Sequence, residues 1–197
     1  MSDAAPIAFS GEATVTNDDV VFTIDDRTKR YWDLATPVVV ERNGSTVPVS
    51  EYRVQHAGGR IHFHQPQDPG DTITVSGAYI TVTTAVEVRD YSLSLNSEIV
   101  DVTWLNPDLE GFRERLANII DATGTLSGFY NVNNLLTDKI LSQSPTVIEM
   151  QMDADDDEIF AVYAYLESDE LSAAVEGAVE TSVSWASSGE ILVEQIA

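Results

Sequence analysis

The side chains best suited to hold a transition metal in this sequence are its three histidines, His56, His62 and His64. His62 and His64 are two residues apart, so on a strand they share one face. His56 precedes them in a β-rich run, where a hairpin would bring it alongside. Neutral imidazoles placed in this way suit Zn2+ or Ni2+. Surface or sheet-packing histidines would leave the same pattern. A second cluster, Asp153, Asp155, Asp156, Asp157 and Glu158, offers the hard carboxylate oxygens that Ca2+ or Mg2+ takes. It follows an ion-binding loop only superficially, because Glu158 stands where the sharp turn needs glycine. A solvated hairpin tip accounts for it as well. His56, His62, His64, Asp153, Asp155 and Asp157 are therefore candidates only, and no metal or cofactor is assigned.

No pattern in the chain carries a reaction. There is no Gly-rich phosphate loop, no nucleophile elbow and no His-Glu-x-x-His pair. Carboxylate pairs mean little among 33 acidic residues. An enzyme is not expected. Cysteine is absent, which excludes disulfides and thiolate metal sites.

The balance of charge is unusual. With 33 Asp and Glu against 10 Lys and Arg, the 197-residue chain carries −23. Such a surface repels phosphate, which argues against a dedicated nucleic-acid-binding or anionic-membrane-binding role. The acids are spread along a chain that is 43% hydrophobic, so disorder does not explain them. A halophilic host does: at about 1 M salt the Debye length is roughly 3 Å and like charges scarcely repel. Met1 to Gly11 has neither a basic nor an apolar segment of the signal-peptide kind. No apolar run approaches the roughly 20 residues that span a bilayer.

The elements that would position these groups are mostly short strands. Residues 13 to 83 read as a succession of them: Val20 to Ile24, Pro37 to Arg42, Thr46 to Val49, Tyr52 to His56, Arg60 to His64, Asp71 to Ser76 and Ala78 to Thr83. Asn43-Gly44 between β-rich runs is a hairpin signal, since both turn positions need positive φ. Gly58-Gly59 marks a second hairpin. Further on, Val86 to Leu95 alternates with a break at Arg89-Asp90 that suits a bulge. Ile99 to Trp104, Thr146 to Met152, Val179 to Trp185 and Glu190 to Ile196 also read as strands. Ile159 to Leu166 is apolar on both faces and must be covered on both; Phe160, Val162, Tyr163 and Tyr165 are expected to meet a neighbouring subunit. One helix is well marked, by Val132, Leu135, Leu136, Lys139 and Ile140, with Asn133 as its cap. Leu109, Phe112, Leu116 and Ile120 fit a helix too, as do Leu171, Val175 and Ala178, and periodicity leaves strand or helix open at both.

Two stretches together resemble a known family. The run Val20 to Tyr79, with Arg30-Tyr31-Trp32-Asp33, Asn43-Gly44, Tyr52, Gly59-Arg60-Ile61 and Val75-Ser76-Gly77-Ala78-Tyr79, resembles an N-terminal β-module of some tailed-virus tail proteins. The next run resembles the core of major tail tube proteins of long-tailed, siphovirus-like viruses. It is carried by Glu98 to Thr103, Gly111 to Glu114 and Ser127-Gly128, and Val175 to Ile191 is similar to the closing strands of that family. The chain departs from the pattern in having residues 1–82 ahead of the core, and in Asn118-Ile119-Ile120 where the family has Gly-Leu.

The resemblance implies a mainly β chain, with a sandwich or barrel tail-tube fold, one flanking α-helix and an added small β-module. It implies two domains, an outer decorating module over 1–82 and a tube-forming core over 83–197. It also implies self-assembly into hexameric rings stacked as a tube, in a virion tail put together in the host cytoplasm. Tape-measure, baseplate and tail-terminator proteins would be partners, DNA would pass without being held, and acidic lumen residues would repel it. Segments 104–112 and 153–158 are the candidates for contacts between rings. The charge adds a halophilic archaeon as host. The alternatives are another tail or baseplate component, or a soluble carbohydrate- or protein-binding β-sandwich of a haloarchaeon.

Overall fold

The computed structural model describes residues 5–82, 88–101, 115–129, 135–151, 158–173 and 179–195. It is mainly β, with one α-helix among the described residues. By its contacts the chain divides into two units. The first takes residues 1–85, 146–163 and 188–197; the second takes 86–145 and 164–187.

The first unit is built on a seven-stranded antiparallel sheet. Its strands are β1 (Ile7–Thr16), β2 (Val21–Ile24), β3 (Val39–Arg42), β4 (Ser45–Thr46), β5 (Tyr52–Gln55), β6 (Arg60–Phe63) and β7 (Ile73–Tyr79), in the order β4-β3-β7-β1-β2-β6-β5. The Asn43-Gly44 turn joins β3 and β4 with φ of 52° and 76°, the geometry expected of it. At the second hairpin a short 3-10 turn, His56–Gly58, ends in the left-handed Gly59. β1 was not anticipated as a strand over its full length. Its register shifts between Phe9 and Glu12 around Gly11, which sits at φ 64°. That bulge interrupts the period-two pattern by which strands are recognised, and the Gly11 N–H is satisfied by Ser76 Oγ at 2.9 Å. One strand, β7, replaces the two expected around Gly77. Gly77 pairs with Phe9, whose ring lies at van der Waals distance from where a side chain would begin.

Phe22, Ile24, Trp32, Val40, Tyr52, Ile61, Phe63 and Val75 form the core of this sheet, with Phe22 set edge-on to Phe63 at 5.5 Å. The same unit has a second core. In it Tyr31 and Ala57 pack with Val147, Ile159, Ala161, Tyr163 and Leu192. These come from β10 (Thr146–Gln151), the first part of β11 (Glu158–Ala173) and β13 (Leu192–Gln195), which pairs with β11 from Glu158 to Ala161. β10 was expected to be half-buried, but Thr146, Val147, Ile148 and Met150 are all buried.

The rim of this second core is charged. Arg27 and Arg60 both donate to Glu194. Arg30 and the Tyr31 hydroxyl both donate to Glu149, and Arg53 pairs with Glu190. Bases of the first 60 residues thus meet acids far along the chain.

The second unit is an antiparallel sheet made from β8 (Val88–Asp101), β9 (Arg115–Phe129), β12 (Val179–Ser187) and the part of β11 from Ala164 on. The break at Arg89-Asp90 is a register shift in a single long strand, as a bulge requires, and a second shift lies between Ser97 and Ile99. Leu116 and Ile120 lie in β9 and Leu171 in β11, so both ambiguous segments are strand where they are described. The helix α1 spans Leu135–Ser142, with Leu136 buried. Its expected cap Asn133, and residues 104–112, lie outside the described residues.

Candidate functional site

The second unit's sheet has two contrasting faces, set by its registers. Side chains directly opposite each other across a strand pair share a face. On one face, Leu93 and Leu95 of β8 oppose Gly124 and Ala122 of β9. Leu126 and Gly124 in turn oppose Val183 and Trp185 of β12, and Trp185 opposes Leu166 of β11. Ala122, Leu126, Val183, Trp185 and Leu166 are buried. Gly124 is required here, because a methyl group on it would lie 2.7 Å from the Trp185 ring and 2.0 Å from the Ser92 carbonyl oxygen.

The other face carries hydroxyls. Ser92, Thr125, Ser184 and Ser168 stand in one row across all four strands. Ser92 bonds Thr125 at 2.8 Å and Ser168 bonds Ser184 at 2.7 Å. The next row holds Ser94, Thr123, Ala186 and Tyr165. A signal for this face was present in sequence: Ala122, Gly124 and Leu126 alternate with Thr123, Thr125 and Ser127.

Among the described residues, no strand pairs with the outer edge of β8. β8 is 14 residues long and ends the strand order. It has neither Pro nor Lys, the residues that usually guard an exposed edge. Large apolar side chains stand exposed along it, Leu95 at 58% and Ile99 at 60%, with Ile120 of β9 at 72%. At its start Arg89 lies 3.9 Å over the Phe129 ring. At the opposite end of the order, β11 is flanked by β12 and β10. β10 has six residues against sixteen in β11, so it leaves most of that edge unmatched. Three antiparallel steps separate the two edges, so β8 and β11 run in opposite directions.

Of the residues expected to face a neighbouring subunit, Phe160, Val162 and Tyr163 are buried within this one chain. Tyr163 belongs to the core with Tyr31 and Leu192. The cover reasoned to come from another subunit is, at these three positions, this chain's own. Tyr165 is different: it is 43% exposed and lies on the hydroxyl face.

The histidines are not brought together as a ligand set. His62 contacts Gln55 and Arg53, His56 opens the 3-10 turn, and His64 is exposed beyond β6. Burial lowers the pKa of His56, opposed by the charge of Asp33; burial and then Arg53 lower that of His62. Among the described residues no three His, Asp or Glu side chains are grouped to hold a metal ion. Asp153, Asp155 and Asp157 lie outside those residues.

No protein-family model and no curated protein matches the sequence. Solved structures with partial likeness include these two. One is a chain of the "Virion of native gene transfer agent (GTA) particle", with TM-score 0.48 and 20% identity, covering 57% of this chain and 88% of that one. The other is from "Tail of empty GTA particle computed with helical refinement, C6 symmetry", with TM-score 0.47 and 21% identity, covering 58% and 86%. At these values the likeness decides nothing about this chain.

Proposed function

We propose that this chain is a structural protein of a virion tail, which assembles with its own copies into hexameric rings stacked as a tail tube for passage of viral DNA. The observation that carries the proposal is the second unit's sheet, with two open edges of opposite direction. Copies related by rotation about one axis present β8 of one subunit to β11 of the next in antiparallel sense. That extends the sheet without reversal, and a heterologous contact of fixed rotation closes a ring. Closure removes the exposed edges and buries apolar side chains such as Leu95 and Ile99. The seven-stranded sheet of the first unit ends in short edge strands, β4 and β5, of two and four residues, which suits a module on the outside of such a tube.

The same proposal takes residues 1–82 as the decorating module and 83–197 as the ring-forming part, with 146–163 and 188–197 of the latter packed into the module's unit. It takes a siphovirus-like virus of a halophilic archaeon as the source, with assembly in the host cytoplasm. Tape-measure, baseplate and terminator proteins are the further partners, and no catalysis is involved.

Sedimentation of the wild type and of Leu95→Lys in molar salt tests it, since a lysine on an edge strand opposes strand addition. The wild type is expected to form large assemblies, and the variant to stay monomeric with an unchanged far-UV spectrum. A wild type that stays monomeric at high concentration favours the soluble binding sandwich instead.

A further inference from the structure

We infer that the wall this protein presents to a passing polyanion is uncharged across its middle: a hydroxyl face, with carboxylates confined to its ends. This rests on the ring proposed above and says which side of the sheet faces inward and what chemistry it offers.

A closed sheet has one face inside and one outside. Here the chain itself buries the apolar face at Leu126, Val183 and Trp185, while Leu95 and Ile120 at its β8 side stay exposed. The face left to meet solvent is the one carrying Ser92, Thr125, Ser184 and Ser168, of which Ser92, Thr125 and Ser168 are exposed. Nothing in that row is charged, in a chain with 33 acidic residues out of 197. Charge appears on both sides of the row, at Asp90 and Glu170 two residues along in one direction and at Asp121 four residues along in the other.

An uncharged row is not what net charge alone predicts for a lumen. A carboxylate wall would repel duplex DNA, with its charge every ~1.7 Å, over roughly a Debye length. A basic wall would hold the phosphates. The hydroxyls do neither. Ser92 with Thr125, and Ser168 with Ser184, satisfy each other across the strands, so they have little need of a ligand's oxygens. Water remains the main partner of their free lone pairs, and the polymer passes over a wet, neutral strip.

Because the chain has no cysteine, Ser92→Cys and Ser184→Cys introduce unique thiols. Each variant is assembled in molar salt, checked for tubes by microscopy, and treated with a small maleimide or with one carried on a large branched polymer. Dispersed subunits at low concentration in the same salt serve as reference. The small reagent is expected to label tubes and subunits alike, while the polymer labels subunits and loses its reaction with tubes. Tubes labelled by the polymer as fast as subunits would put this face outside. Tubes closed to both reagents would mean the face is packed against protein. Either result overturns the inward assignment and leaves the ring standing. If neither the wild type nor the variants form tubes, the ring fails and this assignment with it.

Discussion

The Tyr163 hydroxyl donates a hydrogen bond to the backbone carbonyl of Trp32, 131 residues earlier in the chain. Both residues are buried, Trp32 completely. The bond ties β11 to the loop following the first 3-10 turn, inside the core that Tyr163 shares with Tyr31, Val147 and Leu192. Tyr163→Phe keeps the packing and strands a buried carbonyl, so it should cost about 1–3 kcal/mol in urea or thermal unfolding. Burial raises the pKa of Tyr163, helped by the charge of Asp33, and burial with Glu149 raises that of Tyr31. A folded-state pKa above the unfolded one gives stability that is present below about pH 10 and lost as pH climbs beyond it. Tyr31→Phe/Tyr163→Phe should flatten that alkaline loss; an identical alkaline profile contradicts the assignment.

Glu194 receives both Arg27 and Arg60. Burial raises its pKa, but the two guanidiniums outweigh burial and hold it below the usual carboxylate range. The sign is that of a depressed carboxylate: its stability is present above the unfolded-state value and fades as pH falls below about 4. Glu194→Gln should lower stability near neutral pH and shrink the difference between pH 7 and pH 3. A variant with the wild-type acid profile would show that the pair contributes nothing.

The pairing of Trp185 with Gly124 has no room for a side chain. Gly124→Ala must push either the indole or the β8 backbone aside, and overpacking of this kind costs about 1–3 kcal/mol. Thr125→Ala, one residue along on the hydroxyl face, should cost well under 1 kcal/mol because its partner Ser92 is exposed to water. Equal effects of the two would contradict the two-faced sheet.

Much of the architecture could be read locally. Asn43-Gly44 announces its turn, Arg89 its bulge, and Leu136 with Ile140 the helix, because each depends on neighbours within a few residues. β1 escaped notice where Gly11 breaks its alternation. Leu116 and Ile120 kept helical spacing inside a strand, since tertiary pairing overrides such patterns. The inner cover of Tyr163 could not be read at all. It comes from Tyr31, Ala57 and Leu192, and no local period records which distant segment fills a face. The same holds for the acids that receive Arg27, Arg30, Arg53 and Arg60. The open edge of β8 was implicit in its length and lack of Pro and Lys, but its place at the end of the strand order belongs to topology.

Salt should govern assembly. Subunits at −23 each are screened over about 3 Å at 1 M salt but over about 8 Å at physiological ionic strength. Dialysis from molar salt to about 0.15 M should dissociate assemblies, and light scattering should fall. Scattering unchanged by dialysis would remove the argument for a halophilic setting.

The most direct test of the central claim is electron microscopy of the purified wild-type protein, concentrated in molar salt. Hollow tubes or rings of uniform diameter are the expected result, their walls built from the joined sheets of β8, β9, β12 and β11. Isolated particles of single-subunit size at every concentration would contradict it.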